Sequence, residues 1–439
     1  MAVHQSDALL ANRLGEGPLV RSARAMVGRD QLFAAAEALA RSLPAGPAAL
    51  NLCERRENFL IGFLALLMRD QVCLLPPSRA PAIVAEVGQQ HPGSFRLDDA
   101  VVDRCRAAGS SASRHIPAIP SDRIVVIGYT SGSTGQPRGN PKTWGSLMAS
   151  TALNATRLRE VLGDERRGAM PWILATVPCQ HMYGMEAAVL MPLFAGMGIH
   201  DGHPLYPADI ATDLGALPEP RVLVTTPVHL RALLRSGIEL PPLAAVVSAT
   251  APLAREMAVE VEQRFATVLL EYFGSTETCV IASRRPARES TWRHYPGLSL
   301  RPQGDGTRVS AAWFPEDVVL QDMLELQDDG RFVVCGRNSD MVEVGGKRAS
   351  LADLTRRLMA VPGVSDAVVF QPEPGADAAV RRLAALVVAE GLTAAEVLAG
   401  LTSAMDPVFL PRPLILVSRL PRNEVGKLPR DQLLAALRR

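Results

Sequence analysis

Residues 123–139 read RIVVIGYTSGSTGQPRG. The apolar, β-branched run Arg123–Ile127 predicts a strand. From Thr130 to Gly139, ten residues hold three glycines and four hydroxyl side chains. Glycines allow successive backbone N–H groups to converge on one anion, and the hydroxyl groups add donors. The sequence therefore predicts a polyphosphate-binding loop directly after a strand. A solvated Ser/Gly linker is the alternative, and the position after a strand argues against it.

Two well-known phosphate loops do not fit this stretch. No Gly-Lys-Ser or Gly-Lys-Thr follows the glycines, so the loop is not a Walker A loop. No glycine triplet has the G-x-G-x-x-G spacing of a dinucleotide-binding turn either.

Strand-like and helix-like segments alternate on both sides of the loop, which predicts an α/β body with parallel strands. Strands are predicted at Ala48–Leu52, Gln71–Leu75, Arg123–Ile127, Trp172–Val177, Val222–Thr225, Ala244–Val247 and Val268–Leu270. Helices are predicted at Asp30–Leu43, with Asp30 as N-cap, and at Glu57–Arg69 and Lys142–Arg159.

The pattern changes after residue 330, and the last hundred or so residues predict a small α+β domain. Its strands are predicted at Arg331–Cys335, Met341–Val344, Ala367–Phe370 and Leu383–Val388, and its helices at Leu351–Met359 and Ala394–Ala404.

Composition limits the classes of function. The chain has 439 residues, of which 48% are hydrophobic and 21% charged, so it has enough apolar material for a sizeable core. Lys and Arg number 46 against 45 Asp and Glu, and a net charge of +1 gives no electrostatic footprint for nucleic acid or an anionic membrane. The apolar runs Phe59–Met68 and Ala187–Ile199 are short of the roughly 20 residues of a membrane span. The polar start of the chain predicts a cytoplasmic protein.

The cysteines and histidines are dispersed. No two of the six cysteines form a C-x-x-C, and the eight histidines include no H-E-x-x-H. This predicts free, buried or partly buried thiols in a reducing compartment and no structural metal held by the protein.

The loop Thr130–Gly139 resembles the phosphate loop T-S-G-S-T-G-x-P-K-G of the adenylate-forming (ANL) enzymes, which include acyl- and aryl-CoA synthetases and carrier-protein ligases. Arg138 stands where the family usually has Lys, so the positive charge is kept but is carried by a planar guanidinium instead of a compact ammonium group. Trp144 follows Thr143 where the family often has His.

Further segments resemble the family in the same order along the chain. They are Pro178–Gly184 (P-x-x-H-x-x-G), Ser248–Leu253 (S-G-A-A-P-L), Phe273–Glu277 (Y-G-x-T-E), Gly336-Arg337, Met341–Ser350 and Pro421–Lys427 (P-R-x-x-x-G-K). The phosphate loop and the Pro421–Lys427 motif are long and specific, and about 290 residues separate them, which makes coincidence a poor explanation.

The resemblance implies an ATP site and a set of catalytic residues. It assigns catalytic roles to His181, Thr276, Glu277 and Lys427, with Mg²⁺ on Glu277. It assigns nucleotide contacts to Thr130, Ser131, Gly132, Ser133, Thr134, Gly135, Arg138, Thr250, Phe273, Gly274, Ser275, Asp322 and Arg337. Asp322 would bind the ribose hydroxyls, although Leu320-Gln321 replaces the usual Thr-Gly before it.

The resemblance also implies the domain plan. A large adenylation domain of parallel and mixed sheets with helices would cover residues 1–337. A hinge at 338–340 would join it to a small, mobile α+β domain at 341–439, which carries Lys427. Gly345 and Gly346 would line the channel for the attacking thiol.

The expected substrate is a small aromatic acid of the hydroxybenzoate type. The resemblance places its pocket at His181, Tyr183, Gly184, Ala187, Ala249, Tyr272, Val280 and Ile281. Tyr272 stands where long-tunnel relatives have Gly, so it would shorten the pocket, and Tyr183 would lie near a phenolic end. The chain is compact and resembles the ligases of xanthomonadin and aryl-polyene pigment pathways, which load hydroxybenzoates onto an acyl carrier protein.

The acceptor is therefore expected to be a phosphopantetheine thiol, on an acyl carrier protein in preference to free CoA. The basic stretch containing Arg284, Arg285, Arg288 and Arg293 is either solvated or a contact for that partner. Three alternatives remain: a medium-chain or aryl acyl-CoA synthetase, a catalytically silent nucleotide-binding regulator, and a P-loop kinase.

Overall fold

The chain divides into two compact units. A computed structural model describes residues 18–22, 25–107, 118–130, 137–163, 169–337, 340–344, 347–372, 382–402, 404–423, 426 and 428–437. One unit comprises residues 1–298 and 310–317, and the other residues 299–309 and 318–439. The boundary predicted at 337–341 falls inside the second unit. Asn338 and Ser339 lie outside the described residues, so the hinge stays a prediction.

The first unit contains two sheets. Its strands are β1 Pro18–Arg21, β2 Met26–Gly28, β3 Ala48–Asn51, β4 Val72–Leu75, β5 Phe95–Leu97, β6 Ile124–Thr130, β7 Arg138–Thr143, β8 Trp172–Ala175, β9 Gly198–His200, β10 Arg221–Thr225, β11 Ala245–Ser248, β12 Leu269–Ser275, β13 Cys279–Arg284 and β14 Trp292–His294. One sheet has the order β5-β3-β4-β6-β7, and the other runs β14-β13-β12-β11-β10-β8-β9-β1-β2 within this unit. Strands β9, β8, β10, β11 and β12 are parallel, which confirms the predicted α/β fold.

Helices cover these sheets. They are α1 Arg29–Ser42, α2 Arg56–Met68, α3 Pro81–Gln90, α4 Asp99–Ala107, α5 Trp144–Leu162, α6 Met182–Met185, a π-helical turn Glu186–Leu190, α7 Met191–Ala195, α8 Pro207–Gly215, α9 Pro227–Ser236 and α10 Arg255–Arg264. Helix α2 reads RENFLIGFLALLM and is buried along nearly its whole length, as expected of a helix that is apolar on all sides.

Two local predictions are wrong. The helix predicted from Lys142 begins at Trp144, because residues 138–143 form β7 instead. Helix α1 begins at Arg29 with Gly28 as its N-cap rather than Asp30, and the Gly28 N–H donates to Gln31 Oε1 at 3.0 Å.

The core of the first unit contains four buried thiols, Cys53, Cys73, Cys179 and Cys279. Burial raises the pKa of Cys73 to about 12 and that of Cys179 to about 11. Burial also raises the pKa of Cys53 and Cys279. The six cysteines are free, as predicted, with Cys335 exposed and Cys105 partly exposed.

The second unit, with the strand ends that lead into it, contains the remaining strands, of which β15-β16-β17, β20-β21 and β22-β23-β24 form small sheets. Its strands are β15 Leu298–Gln303, β16 Gly306–Ala311, β17 Val318–Leu320, β18 Asp322–Leu326, β19 Arg331–Arg337, β20 Met341–Val344, β21 Lys347–Ser350, β22 Val364–Phe370, β23 Ala384–Ala389 and β24 Leu414–Leu416. Its helices are α11 Leu351–Met359, α12 Ala394–Thr402, a 3₁₀ turn Pro407–Phe409 and α13 Arg430–Ala436.

Helix α11 shows how the second unit buries its core. Leu354 and Leu358, one turn apart, are buried and pack in one cluster with Val369, Val387 and Val397. Among the described residues of both units, no helix is long and apolar enough to cross a membrane.

Candidate active site

The antiparallel hairpin β6–β7 carries the predicted phosphate loop. Thr130, the last residue of β6, pairs with Arg138, the first residue of β7, and Arg138 is exposed. The loop therefore begins and ends at one point on the sheet. The loop residues Ser131, Gly132, Ser133, Thr134 and Gly135 lie outside the described residues, so their phosphate contacts stay predictions.

Two of the predicted motifs meet next to this hairpin. A Cβ built on Gly128 of β6 would stand 2.9 Å from Met182 Sδ and 3.3 Å from Thr276 Cγ2. Met182 belongs to the Pro178–Gly184 motif, and Thr276 belongs to the Phe273–Glu277 motif. The fold thus brings together segments that are about 50 and 150 residues from Gly128 in the sequence.

Thr276 and Glu277 lie at the half-buried tip of the hairpin β12–β13. Ser275 Oγ accepts the backbone N–H groups of Glu277 at 3.1 Å and of Thr278 at 3.2 Å. These bonds satisfy two donors that the tight turn removes from the ladder. The predicted Ser275 therefore shapes the backbone of the turn that presents Thr276 and Glu277.

The strand pairs next to the turn of the same hairpin require Gly274. Gly274 pairs with Val280, and a Cβ on Gly274 would stand 2.1 Å from the carbonyl oxygen of Cys279. Cys279 itself has φ of 63°, an uncommon value for a residue with a side chain. The backbone is thus held in a strained conformation directly beside the predicted catalytic residues.

Two buried ionisable side chains, Lys142 and Glu186, hydrogen-bond to the backbone of this hairpin. Lys142 of β7 donates from Nζ to the backbone carbonyl of Glu277. Glu186, in the π-helical turn, accepts Ser150 Oγ at 2.7 Å and the Val280 N–H at 3.1 Å. Burial raises the pKa of Glu186, and the nearby cation of Lys142 opposes that rise. Neither residue was predicted for the site, because their partners are distant in the sequence.

The Pro178–Gly184 motif turns sharply into α6. His181 is the half-buried N-cap of α6, and its N–H donates to Pro178 O at 3.3 Å. A Cβ on Gly184 would stand 2.0 Å from the same Pro178 oxygen, so only glycine fits there. The motif's glycine is thus explained by close packing, while the catalytic role of His181 stays a prediction.

The Tyr183 hydroxyl is hydrogen-bonded to the sheet. Tyr183 is buried, and its hydroxyl donates to the backbone carbonyls of Val247 at 2.9 Å and Thr225 at 3.2 Å. A hydroxyl has one proton to donate, and these carbonyls at the ends of β10 and β11 receive it. The phenol therefore has no proton left to donate to a substrate, and the place of Tyr183 in the acid pocket stays a prediction.

Tyr272 is buried, and its hydroxyl donates to the backbone carbonyl of Asn154 in α5 at 3.2 Å. Tyr295 donates to Asn154 Oδ1 at 2.9 Å. Burial raises the pKa of Tyr183, and the charge of an ionised Tyr272 would raise it further. A bulky, anchored ring at Tyr272 agrees with the predicted pocket floor, which stays a prediction.

The remaining predicted pocket and nucleotide residues of this unit lie on or just after β11, β12 and β13, apart from Ala187 in the π-helical turn. Ala187, Ala249, Val280 and Ile281 are buried. The Phe273 ring lies 5.3 Å from the Trp292 ring, centroid to centroid. Thr250 follows β11 with φ of 80°, a second strained position at the carboxyl end of a parallel strand.

In the second unit, the two predicted ribose residues stand opposite each other. Asp322 begins β18 and pairs with Arg337, which ends β19. The Asp322 backbone carbonyl accepts Thr307 Oγ1 at 2.8 Å, which ties β18 to β16. The predicted pairing of Asp322 with Arg337 on one nucleotide group is thus compatible with their backbone register.

The second unit also shows how the residue before Lys427 is held. Arg422 forms a two-point ion pair with Asp366, at 3.1 and 2.8 Å, and donates to the carbonyl of Gly426 at 2.9 Å. Lys427 itself lies outside the described residues, as do Gly345 and Gly346. The roles of these three residues stay predictions.

These features gather the predicted motifs of the first unit at the carboxyl ends of strands, where open α/β sheets bind their ligands. A sequence profile of the AMP-binding enzyme family matches residues 76–303, more than half of the chain. The chain therefore belongs to the AMP-binding enzymes, the adenylate-forming superfamily, and is an AMP-forming acid–thiol ligase. Membership removes the P-loop kinase alternative.

Relatives and solved structures agree with this assignment. The chain is 28% identical over 359 residues to an indoleacetate–CoA ligase of Aromatoleum aromaticum, covering 72% of this chain and 68% of that protein. It is 28% identical over 312 residues to a 4-coumarate–CoA ligase of Halorhodospira halophila, covering 68% and 73%. The fold matches the O-succinylbenzoate coenzyme A synthetase of Bacillus subtilis in complex with ATP and magnesium ion, with a TM-score of 0.80, 18% identity and coverage of 97% and 98%.

Proposed function

We propose that this enzyme activates a small aromatic carboxylic acid with ATP and then transfers the acyl group to a phosphopantetheine thiol. The observation that carries the proposal is the convergence of Gly128, Met182 and Thr276, which joins the phosphate hairpin, the predicted acid pocket and the predicted α-phosphate contact. Two similar proteins, an indoleacetate–CoA ligase and a 4-coumarate–CoA ligase, are named for aromatic acids.

The first half-reaction forms an acyl-adenylate. A carboxylate oxygen of the acid attacks the α-phosphorus of ATP, and the bond to the leaving pyrophosphate breaks. Such a transfer depends on positioning and on neutralising charge. The Thr276 hydroxyl would donate to an α-phosphate oxygen, while Ser275 and Lys142 hold the turn that presents it. Lys427 would place its cation on the oxygens as charge develops.

Glu277 fits the Mg²⁺ ion that the family implies. Mg²⁺ prefers hard oxygen ligands and is held in such sites by one or two carboxylates together with substrate phosphates. The Glu277 backbone is fixed at both its N–H and its carbonyl, so its carboxylate leaves the turn from a defined point. When bound, the ion would neutralise charge on the phosphate oxygens.

The second half-reaction consumes the adenylate. The thiol sulfur attacks the acyl carbon and gives up its proton, a thioester bond forms, and the bond from the acyl carbon to the AMP oxygen breaks, so that AMP leaves with the bonding electrons. Free CoA and a carrier protein present the same thiol. The two relatives are CoA ligases, which favours free CoA, whereas the pigment-pathway resemblance favours a carrier protein.

The basic stretch gives the carrier protein little support. Arg284 forms an ion pair with Glu271 at 2.7 Å and lies 4.4 Å above the Trp292 ring. Arg285 pairs with Glu262 at 3.2 Å. Much of the positive charge here is therefore matched within the chain and is not reserved for an acidic partner.

The test is exchange of labelled pyrophosphate into ATP with benzoate, 3- and 4-hydroxybenzoate, coumarate and octanoate. The proposal expects exchange with the aromatic acids and release of AMP, not ADP, once a thiol is added. CoA and a phosphopantetheinylated carrier protein are compared as acceptors. A preference for octanoate would overturn the aromatic assignment. If none of the acids supports exchange, the silent nucleotide-binding regulator is favoured.

Lys427→Ala tests the predicted role of this lysine in adenylate formation. It should abolish exchange and spare thioester formation from a synthetic acyl-adenylate, because its cation serves the phosphoryl step. Removing a charge aimed at a transition state costs on the order of 10²–10³ in rate. Equal loss of both half-reactions would contradict this role. Gly346→Trp should show the reverse pattern, since a side chain there would block the predicted thiol channel.

A further inference from the structure

Two histidines and three threonines form a hydrogen-bonded cluster in the first unit. Thr176 Oγ1 lies 2.8 Å from Thr225 Oγ1 and 3.2 Å from His229 Nδ1. Thr226 Oγ1 lies 2.9 Å from the same nitrogen. His203 Nε2 lies 2.9 Å from the backbone carbonyl of Thr176. The three threonines are buried, whereas both imidazole rings are only partly buried and are therefore accessible.

The cluster occupies the place where the order of the sheet reverses. Thr176 follows β8, and Thr225 ends β10, the parallel neighbour of β8. From β8 the chain continues to β9 on one side and then to β10 on the other side. In open α/β sheets, ligands bind in the crevice outside the carboxyl ends of the strands at such a reversal. The polar cluster therefore stands where this topology opens a crevice.

The hydrogen bonds fix what the cluster can offer a ligand. A carbonyl only accepts, so His203 carries its proton on Nε2 and, when neutral, presents Nδ1 as an acceptor. We assign the proton of His229 to Nε2, because Nδ1 then accepts the hydroxyl of Thr226. The pair thus presents one acceptor and one donor.

Both rings are neutral near pH 7. Burial, with the charge of Arg56, lowers the pKa of His203 to about 4. Burial lowers the pKa of His229 as well. The Arg56 guanidinium already donates to the carbonyls of Gly202, Ala175 and Val177. The cluster therefore suits a neutral group that both donates and accepts, rather than a second carboxylate, which would require a cation.

We infer that His203 and His229 recognise a hydroxyl group on the ring of the acid substrate. The inference rests on the proposed function and names the substrate class more closely. The Tyr183 hydroxyl, from the predicted pocket motif, donates to the Thr225 carbonyl and so places that motif beside the cluster. A hydroxyl group would accept from His229 Nε2–H and donate to His203 Nδ1, and so give the second ring nitrogen of each histidine a hydrogen-bond partner.

The experiment compares kcat/KM in pyrophosphate exchange for hydroxybenzoates, benzoate and the matching fluorobenzoates. Fluorine fills a similar position but cannot donate. Wild type should prefer a hydroxyl at one ring position over both hydrogen and fluorine by at least about 10-fold. In His229→Leu and His203→Leu, that preference should fall about 10-fold, whatever happens to overall activity. His294→Asn is the control, because His294 ends β14, contacts the Tyr295 carbonyl, and is separated from β10 and β8 by three strands of the sheet.

The outcomes separate the two proposals. Robust exchange with benzoate and no preference for a hydroxyl at any ring position overturns the inference and leaves the proposed function standing. An unchanged preference in both folded leucine variants also overturns it. If a leucine variant fails to fold, the comparison of hydroxybenzoates with fluorobenzoates in wild type still tests whether the enzyme recognises a ring hydroxyl. A wild type inactive with every aromatic acid overturns the proposed function and this inference together.

Discussion

Replacing Lys142 with Met tests whether a buried cation positions the catalytic turn. Met has a similar length and fills the same volume, so the change removes the charge and the hydrogen bond to the Glu277 carbonyl. A hydrogen bond to a charged group is worth about 1.5–3 kcal/mol. If the bond serves to hold Thr276 and Glu277 for the transition state, its loss lowers kcat/KM for ATP by about 10- to 100-fold.

The effect on stability should be much smaller. Burying an ammonium group costs several kcal/mol of desolvation, and the apolar replacement removes that cost. The two effects oppose each other, so we expect Tm to change by only a few degrees. A large loss of rate with a small change in Tm distinguishes a positioning residue from a core residue.

The assay is pyrophosphate exchange with the best aromatic acid at varied ATP and Mg²⁺. The half-saturating Mg²⁺ concentration should rise in Lys142→Met, because Glu277 is the predicted ligand. Lys347→Met is the matched control, since Lys347 pairs with Asp406 at 2.6 Å on the surface and is 59% exposed. An unchanged rate and Mg²⁺ response in a folded Lys142→Met would refute the reasoning.

Three further predictions follow from buried contacts. Glu186→Gln keeps the acceptor for Ser150 and Val280. Because the pKa of Glu186 is raised in the folded state, the native state binds more protons than the unfolded state. The stability of wild type relative to the variant should therefore fall as pH rises from 5 to 8 in denaturant titrations. Tyr183→Phe should lower stability by about 1 kcal/mol and leave the preference for a ring hydroxyl unchanged, as chemical denaturation and the acid panel will show; a lost preference would return the phenol to the substrate. Arg422→Ala frees the Gly426 carbonyl and should slow adenylate formation more than thioester formation from a synthetic adenylate; equal slowing would count against this positioning role.

Elements with a strong local pattern were predictable, and an element made by pairing was not. Helix α1 was predicted within one residue at each end because its amphipathic pattern is long. Strand β7 reads RGNPKT, which has almost no strand propensity, and it forms because it pairs with β6 at the edge of the sheet. An edge position also tolerates Pro141.

The same division holds for the site. The motif residues could be predicted because each motif is contiguous in the sequence. The partner of Lys142 is 135 residues away, and the two carbonyls that hold Tyr183 are 42 and 64 residues away. Pairings at such distances depend on the sheet order, which a single sequence does not give. One clue to Lys142 was available, since the chain has only three lysines and two of them lie in polar C-terminal segments.

The buried thiols make the native state slow to react with alkylating reagents. A thiolate is the reactive species, and at pH 8 a thiol with a pKa of about 11 or 12 is almost wholly protonated as well as inaccessible. Cys179 lies within the Pro178–Gly184 motif, and Cys279 directly follows the turn of the hairpin that carries Thr276 and Glu277. The alkylation rate of each cysteine, measured peptide by peptide, would therefore report how often its segment opens locally. Bound nucleotide or acid should slow the alkylation of each cysteine separately.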